Sequence, residues 1–358
     1  MAVYPRAESD RTVRHESLRN VVGAIFARCG MAAGDAALLA GTLVNADLRG
    51  VHSHGVLRVP DYVKKLVEEG VDPKGKPTIV SDRGSTLIVD GGNSMGQIGG
   101  TFAMNAAMAR ARTTGIAFAA VRNSNHCGAM DHYVLLAVEA GMIGIAGTNA
   151  IPTMAPWGGV DRIVGINPLA VGLPAMDEKS VVLDIAFGAT AHGKIRVYAQ
   201  KKMPLPPDWV FDAAGEPTTD PIAGLTGLIQ PIGQHKGVGL GMVVGMLSTL
   251  LAGAGYGTAL GSMEAGPTPG MDGHFFIAID PAFFVDPAVF RRRVDGVVKQ
   301  VHQSRRRAGV ERLLVPGELE ADFAAKHAEH GIIIAAETFN GVVAAAERFG
   351  VDIAELVA

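Results

Sequence analysis

Apolar positions near the start of the chain recur at helical spacing. In residues 15–30 they fall on one face of a helix that Gly30 ends, and they are Leu18, Val21, Val22, Ile25 and Phe26. A second apolar face of this kind runs to about residue 48. A third helix is predicted over 59–68, with Pro60 in its first turn.

The middle of the chain changes to short apolar runs that end in glycine or small polar residues, a pattern typical of strands. The predicted strands are 85–92, 116–126, 142–150, 180–186, 275–280 and 331–335. Helices are predicted over 102–115, over 285–306 and in two pieces between 318 and 358. The pattern therefore predicts an α/β protein with a mixed sheet and a helical domain formed by the N- and C-terminal segments. We place the helical part at 1–78 plus 307–358 and the central α/β domain at 79–306.

Two stretches interrupt this pattern. Residues 200–221 are polar and rich in proline, and we expect a long surface excursion there. Residues 237–263 carry no charge and are long enough to cross a membrane. Glycines recur through this second stretch, so we predict a buried helix followed by a loop, and no membrane partner.

Composition narrows the class of protein. The chain has 358 residues, of which 48% are hydrophobic, and a net charge of −3 without a basic face. Nucleic acid is therefore not an expected partner. The two cysteines, Cys29 and Cys127, do not form a disulfide framework. The first residues contain no apolar signal segment, and we expect a cytoplasmic protein.

The usual nucleotide-binding fingerprints are missing. A Rossmann turn needs G-x-G-x-x-G after a strand. The segment GGNSMGQIGG has a different glycine spacing, and GAGYGTALG follows a helix. A phosphate loop of the Walker type is also missing. If the protein binds a nucleotide, it must therefore do so through a different structural motif.

The segment VHSHGVLR contains His52 and His54, which are spaced like a metal-binding H-x-H pair. No further ligands stand at recognisable spacing, so we expect no metal. His54, Arg58 and Tyr62 are spaced i, i+4 and i+8, which would place them on one ridge of a helix. Such a row offers a proton-transfer group, a guanidinium for a carboxylate and a phenol. A solvated helix face is the alternative.

A second polar segment, NSNHCGAMDHY, follows the predicted strand 116–126. His126 could act there as a general base, because the pKa of imidazole is near neutral. Cys127 could act as a nucleophile. However, neighbours on an extended chain point to opposite sides, so we expect a packed thiol.

The segment QHKGVGLGMVVG joins His235 and Lys236 to glycines that share one helical ridge. Lys236 stands where a helix N-terminus could assist it in holding a phosphate. An ordinary solvated lysine remains the alternative.

These motifs occur together in a definite order: ADLRGVHSHGVLRVPDY, RNSNHCGAMDHY, TNAIPTMAPWGG, GINPLAVGLP, LDIAFGATAHGKIRVYA, QHKGVGLGM, GHFFIAIDP and VPGE. In this order they resemble the type-2 malate/L-lactate dehydrogenase family over about the whole chain. That family includes ureidoglycolate, sulfolactate and diketogulonate oxidoreductases and Δ1-piperideine-2-carboxylate reductase. The resemblance implies an NAD- or NADP-dependent oxidoreductase with a non-Rossmann cofactor domain, and a homodimer.

The resemblance also implies roles for single residues. His54, assisted by Ser53, would be catalytic, Arg58 would bind the substrate carboxylate, and Tyr62 would contact the substrate. His126 would lie at the nicotinamide, as a rival for the role of base. The other implied cofactor contacts are Asp184, Ile185, Ala186, His235, Lys236, Pro316, Gly317 and Glu318.

Four positions depart from common family residues. They are Cys127 after S-N-H, Ile166 in G-x-N-P, His192 before G-K-I and Ala150 after T-N. We expect these departures to bear on the substrate, and on the choice between NAD and NADP, rather than on the type of reaction.

The leading hypothesis is reversible hydride transfer between a nicotinamide and a small 2-hydroxy or 2-oxo carboxylic acid. One alternative is the NADPH-dependent reduction of a cyclic imino acid in the same site. Another is a metal-dependent hydrolase that uses His52 and His54, and a third is a binding protein without catalysis.

Overall fold

The fold is given by a computed structural model, which describes residues 8–261, 263 and 266–357. The start of the predicted helical part, residues 1–7, lies outside this range. The helices are α1 His15–Arg28, α2 Ala33–Leu48, α3 Val59–Val67, α4 Gly96–Thr114, α5 Asp131–Glu139, α6 His192–Gln200, α7 Pro221–Thr226, α8 His235–Thr249, α9 Pro287–Gln303, α10 Glu318–His330, α11 Ala336–Arg348 and α12 Ala354–Val357.

The strands follow the same chain order. They are β1 Arg11–Val13, β2 Thr78–Arg83, β3 Thr86–Asp90, β4 Ile116–Ser124, β5 Ile143–Thr148, β6 Pro152–Met154, β7 Val164–Gly165, β8 Leu169–Leu173, β9 Val181–Ile185, β10 Val210–Phe211, β11 Pro217–Thr218, β12 Leu228–Ile229, β13 Asp272–Ile279 and β14 Ile332–Ile334.

A seven-stranded sheet with the order β2-β3-β4-β13-β5-β8-β9 forms the centre of the molecule. Only β3 and β4 pair in parallel within it, and α4 is the crossover between them. The other neighbours are antiparallel. The predicted mixed α/β fold is therefore confirmed, and its sheet is not the parallel sheet of a Rossmann domain.

Side chains alternate across this sheet, so that each face carries its own core. On β13, Phe276 packs into a cluster with α4 and α5, whereas its neighbour Phe275 packs into a cluster with Val244 of α8. The sheet therefore lies between α4 and α5 on one face and α8 on the other.

The N- and C-terminal segments share a separate core. Leu18, Phe26 and Leu43 pack there with Phe339 and Val342 of α11. Strand β14, which the sequence predicted without a partner, pairs antiparallel with β1 and joins the two ends of the chain. Helices from both segments therefore enclose one apolar cluster, while the boundaries at 78 and 307 remain a prediction.

Several local predictions needed correction. Helix α4 begins six residues before the predicted 102, because its first turns are built from glycines that hide the helical pattern. Residues 200–221 are not only a surface excursion, since Leu205 and Val210 are buried and β10 pairs with both β11 and β12. Helices α5, α6 and α7 were not predicted at all.

Helix α8 confirms that the uncharged stretch contains a helix followed by a loop, but the prediction that this helix is buried holds for one face only. No helix in the part of the chain described here is long and apolar enough to cross a membrane. One face of α8 is exposed and carries Leu240, Val243, Met246 and Leu247, with Leu250 directly after the end of the helix. We call these five residues the α8 apolar face.

Candidate active site

The S-H-G segment does not continue α3, as the i, i+4, i+8 spacing had suggested. Two 3₁₀ turns, His52–His54 and Val56–Arg58, precede α3 and are separated by an extended Gly55. A Cβ on Gly55 would lie 2.1 Å from the buried carboxylate of Asp47. This close approach bends the chain, so the expectation of a single helical ridge is wrong.

Asp47 anchors this bend from beneath. Its carboxylate accepts a hydrogen bond from the Val56 N–H at 2.7 Å and pairs with Nδ1 of His52 at 2.7 Å. Burial raises the pKa of Asp47, while the contact with His52 acts to lower it. His52, which the sequence paired with His54 only as an alternative metal ligand, therefore holds the segment in place through its bond with Asp47.

His54 bonds to its neighbour Ser53. The Ser53 hydroxyl lies 2.9 Å from Nδ1 of His54, which leaves Nε2 as the free nitrogen of the ring. Burial, followed by the nearby charge of Arg58, lowers the pKa of His54 to about 4. The ring is therefore neutral at physiological pH and can take up a proton.

Arg58 is held by two contacts on one side. Its Nε donates to the Ser53 carbonyl oxygen at 2.8 Å, and Nη1 lies 3.2 Å from the Asp61 carboxylate. The side chain is 16% exposed. Nη2 faces Gly193 of α6, where a Cβ would lie 3.9 Å away. The guanidinium is thus fixed in orientation and keeps donors for an anion.

Tyr62 is fully buried and links α3 to the S-N-H segment. Its hydroxyl accepts from Nε2 of Gln97 at 2.9 Å and lies 2.7 Å from Nδ1 of His126. The Gly128 N–H points to the same nitrogen at 3.4 Å. Because the Gly128 N–H donates to Nδ1, this nitrogen carries no proton, and the Tyr62 hydroxyl therefore donates to it. The proton of the neutral His126 ring is therefore on Nε2.

His126 lies against His54. The two rings are stacked, with centroids 5.6 Å apart and an interplanar angle of 12°. Burial first, then the proximity of His54 and Arg58, lowers the pKa of His126 well below its usual value. Five residues predicted from two distant motifs therefore meet in one place, namely Ser53, His54, Arg58, Tyr62 and His126.

Cys127 faces away from this cluster, as expected for a neighbour on an extended chain. The thiol is buried and lies 3.6 Å from the sulfur of Met130, and burial raises its pKa to about 12. A thiol in this state is a poor nucleophile. Neither Cys127 nor Cys29, which is also buried, forms a disulfide.

A buried polar row supports the S-N-H segment from inside the sheet. His274 lies between the Ser124 hydroxyl, 2.8 Å from Nε2, and the Thr148 hydroxyl, 2.6 Å from Nδ1. Asn125 completes the support with hydrogen bonds to Asn93 and to the Ser94 carbonyl oxygen. Nothing in the sequence pointed to this row beyond single polar residues in three apolar strands, β4, β5 and β13.

Asp184 is the next-to-last residue of β9 and lies beside the segment that follows His126. Its Oδ2 accepts from the Asp131 N–H at 2.8 Å, and Asp131 in turn binds Arg49 at 2.6 Å. Burial among protein atoms, with the nearby Asp131 carboxylate, raises the pKa of Asp184 to about 7. The residue is nevertheless open to solvent on one side, with Ile185 and Ala186 partly exposed after it.

The P-G-E turn packs on the same strand. The Val182 N–H donates to the Pro316 carbonyl oxygen at 2.9 Å, and Gly317 has φ 87°, where a Cβ would meet the Val182 backbone at 2.7 Å. Only glycine fits this turn. The Glu318 carboxylate accepts from the Val315 N–H at 2.8 Å and lies 3.0 Å from Nε2 of His302.

His235 and Lys236 lie at the N-terminus of α8, and both are exposed. The chain just before them is joined to the chain after Ala186, because the Ile232 N–H donates to the Phe187 carbonyl oxygen at 3.0 Å. The predicted cofactor residues therefore lie on connected segments: β9 and its continuation contact the P-G-E turn, the start of α5 and the approach to α8.

The side chains at these positions fit a nicotinamide dinucleotide. Lys236 and the N-terminus of α8 offer positive charge and free N–H groups for phosphates. The exposed Asp184 carboxylate can accept a hydrogen bond from a hydroxyl group. Within the ranges that the structure describes, no group of three or more His, Cys, Asp or Glu side chains could hold a metal ion.

Comparison with known proteins agrees with this arrangement. Residues 13–342 match the model of a family described as malate/L-lactate dehydrogenase. An L-sulfolactate dehydrogenase from Methanocaldococcus jannaschii is 36% identical over 86% of this chain and 89% of its own length. The structure of malate dehydrogenase from Pyrococcus horikoshii superposes with a TM-score of 0.89 at 30% identity, covering 97% of each chain. A delta1-piperideine-2-carboxylate reductase from Pseudomonas syringae pvar. tomato superposes with a TM-score of 0.84 at 30% identity, over 94% of this chain and all of the other.

Proposed function

This chain belongs to the malate/L-lactate dehydrogenase family and is an oxidoreductase of small hydroxy acids, in which we propose that Arg58 holds the acid and His54 moves its proton. The observation that carries this proposal is that Ser53 contacts both groups. Ser53 accepts from Arg58 with its carbonyl oxygen and bonds His54 with its hydroxyl. One residue therefore sets the distance between an anion clamp and a proton-transfer group.

Arg58 binds the substrate carboxylate. A guanidinium matches a carboxylate with two parallel hydrogen bonds, which fixes the direction of the rest of the molecule. The contacts with Ser53 and Asp61 use Nε and Nη1 and leave Nη2, which lies near Gly193, for the substrate. A 2-hydroxy or 2-oxo acid held in this way has its reacting oxygen one carbon away from the anchor.

His54 exchanges the proton of that oxygen. Its bond with Ser53 can run in either direction, because the hydroxyl can donate or accept. Nε2 of His54 can therefore take a proton from a hydroxyl or return one to a carbonyl. His126 lacks this freedom, since Tyr62 and Gly128 both donate to its Nδ1. His126 then offers a hydrogen-bond donor, and His54 is the better acid and base.

Family members use nicotinamide cofactors, which when bound supply or accept the hydride at the substrate carbon. We assign the holding of the cofactor to His126, Asp184, Ile185, Ala186, His235, Lys236, Pro316, Gly317 and Glu318. The backbone of the P-G-E turn and the exposed groups at the start of α8 support this assignment. Glu318 contributes by shaping the turn, because its carboxylate is already engaged.

A panel assay tests the reaction. The purified chain is given NADH or NADPH with pyruvate, oxaloacetate, sulfopyruvate and a cyclic imino acid, and oxidation is followed at 340 nm. We expect turnover with at least one 2-oxo acid. Oxidation only with the cyclic imine would favour the imino acid reductase, for which the structural similarity to the piperideine-carboxylate reductase is the supporting observation. No oxidation with any of them would contradict the proposal.

The other hypotheses lose their basis. A hydrolase that uses His52 and His54 would need both rings at one metal, but His52 binds Asp47 while His54 lies against His126. Membership of a dehydrogenase family also argues against a protein without catalysis.

We further propose that the protein is a homodimer that buries the α8 apolar face. Within this face, Leu250 is 64% exposed and Val243 is 55% exposed. Contiguous apolar surface of this kind marks an interaction site in a soluble protein. A symmetric dimer would cover it with the same face of a second copy.

A further inference from the structure

A basic cavity opens beside the P-G-E turn. It has a volume of about 900 Å³ and lies between the end of α9, the loop that follows it, and Glu318 at the start of α10. We call it the arginine cavity, and its cationic lining residues are Arg305, Arg306, Arg307 and Arg312. Neither the motifs nor the assigned cofactor contacts account for these residues.

The positive charge of the arginine cavity is only partly compensated. Two glutamates line it, and the carboxylate of one, Glu318, is already occupied by the Val315 N–H and His302. Arg312 pairs with Asp322 outside the cavity at 2.5 Å, and Arg306 donates to the Glu311 carbonyl oxygen. Arg305 and Arg307 make no recorded ion pair with any described residue. They are therefore available to an anion.

The cavity also has an apolar wall. Val310, Leu313 and Leu314 line it together with the arginines. A site for a bare inorganic anion gains nothing from such a wall, whereas an aromatic base can pack on it. The combination of several guanidinium groups with an aliphatic surface suits a nucleotide that carries a phosphomonoester.

The cavity lies next to the turn that we assign to the cofactor, and this position indicates which nucleotide it would bind. Glu318 belongs both to its wall and to the turn that we assign to the cofactor. NAD and NADP differ only in the 2′-phosphate of the adenosine. We propose that the arginine cavity receives the adenosine 2′-phosphate of NADP(H), and that the enzyme therefore prefers NADP to NAD. This inference rests on the proposed function, because the nicotinamide cofactor gives the ligand its identity.

Within the arginine cavity itself, an acceptor for the free 2′-hydroxyl of NAD is correspondingly poor. A site selective for NAD presents an acidic side chain to the ribose hydroxyls. Here Glu318 is 8% exposed and its carboxylate is bound to the Val315 N–H, and the remaining acidic wall residue, Glu311, shares the cavity with four arginines. The electrostatic balance of the cavity therefore favours the phosphate.

The test compares Arg305→Gln/Arg307→Gln with Arg83→Gln. Arg83 is exposed on β2, at the opposite edge of the sheet from β9, and serves as the matched control. The readout is the ratio of kcat/KM for NADPH to kcat/KM for NADH with one 2-oxo acid. Since hydrogen bonds to charged groups contribute more than neutral ones, we expect the double variant to lower this ratio at least about tenfold. The control leaves the ratio as it is, and an unchanged ratio in the double variant overturns the inference.

Binding without turnover separates this inference from the proposed function. Calorimetry with 2′-AMP, 5′-AMP and inorganic phosphate is expected to show the tightest binding for 2′-AMP, with loss of that preference in the double variant. Equal binding of inorganic phosphate and 2′-AMP would overturn the inference in favour of a general anion site. Turnover that prefers NADH would overturn it too, and would leave the proposed function standing. Absence of any coenzyme oxidation would contradict the proposed function, while the 2′-AMP measurement would still report on the cavity.

Discussion

The rings of His54 and His126 lie face to face, with centroids 5.6 Å apart, although 72 positions of sequence separate the two residues. Both rings are neutral at physiological pH, because burial lowers the pKa of each. Their bonding partners differ. Ser53 can donate to His54 or accept from it, whereas Tyr62 and Gly128 both donate to His126. The two stacked imidazoles therefore suit different roles: His54 can give or take a proton, whereas His126 can donate a hydrogen bond.

Replacement of each histidine should separate these tasks. His54→Ala is expected to lower kcat by about 10²-fold or more, the usual contribution of a general acid or base. His126→Ala is expected to lower kcat less and to raise KM for the coenzyme. Steady-state kinetics with one 2-oxo acid measure both, and thermal unfolding checks that each variant folds. A His54→Ala enzyme with unchanged kcat would transfer the catalytic role to His126.

Even a conservative replacement of Arg58 should impair substrate binding. Arg58→Lys keeps the charge but removes the fork and the Nε contact with Ser53. We expect kcat/KM for the acid to fall about 100-fold, mostly through KM, as for the loss of a paired hydrogen bond to a charged group. Arg58→Ala should recover part of its activity when guanidinium is added to the assay. Equal KM values for the Lys variant and the unchanged enzyme would show that another group holds the carboxylate.

The sequence identified the residues that these two predictions use, but the helical geometry from which it grouped them was wrong. The i, i+4, i+8 spacing suggested one helix, whereas the side chains converge across two 3₁₀ turns that Asp47 bends. Gln97, which orients Tyr62, could not be found in advance, because it lies in the glycine-rich start of α4. Local spacing predicts which residues of one segment can meet, whereas contacts between distant segments depend on the packing of the whole sheet.

Two glycines in the first turns of α4, Gly96 and Gly99, provide a matched pair of substitutions. A Cβ at Gly96 would lie 2.0 Å from the Asn125 carbonyl oxygen and 2.7 Å from that of His126. Gly96→Ala should therefore push the S-N-H segment aside, lowering kcat/KM at least about tenfold and stability by about 1–3 kcal/mol. At Gly99 the nearest atoms are 3.7 Å away, so Gly99→Ala should keep its activity and unfold at the same temperature or higher. Equal losses of kcat/KM and stability in both variants would show that an added methyl group disturbs helix α4 itself, and that displacement of the S-N-H segment is not the cause.

The proposed dimer can be broken at an exposed position. Leu250→Lys changes a residue that is already open in a single chain, so the fold should be kept. Across a symmetric interface the two added charges would face apolar surface or each other. Sedimentation or light scattering should then give the mass of one chain, 37.2 kDa, in place of twice that value. Ile222→Lys on α7 changes a similarly exposed position and is expected to leave the dimer intact. If the protein without any substitution had the mass of one chain, the proposal would be contradicted.

The buried His274 should make stability depend on pH. Burial lowers its pKa to about 4, while in the unfolded chain the ring titrates near 6.5. Between these values the unfolded state binds more protons, so the free energy of unfolding falls as the pH is lowered. From pH 7 to pH 5 this loss is about 2 kcal/mol for one such group.

Other groups in the protein titrate in the same range. The lowered pKa values of His54 and His126 act in the same direction as that of His274. The raised values of Asp184 and Asp272, both about 7, act in the opposite direction. The contribution of His274 must therefore be measured as a difference between variants.

Urea unfolding of His274→Gln at pH 7 and pH 5 provides that difference. The variant should be less stable at pH 7, because the bonds with Ser124 and Thr148 are disturbed in the core. Between the two pH values, however, it should lose about 2 kcal/mol less than the unchanged protein does. His330→Gln, on the exposed end of α10, should follow the unchanged protein, since its ring lies in solvent. If His274→Gln lost as much stability as the unchanged protein, His274 would have to be charged in the fold, and the row from Thr148 through His274 to Ser124 could not be neutral.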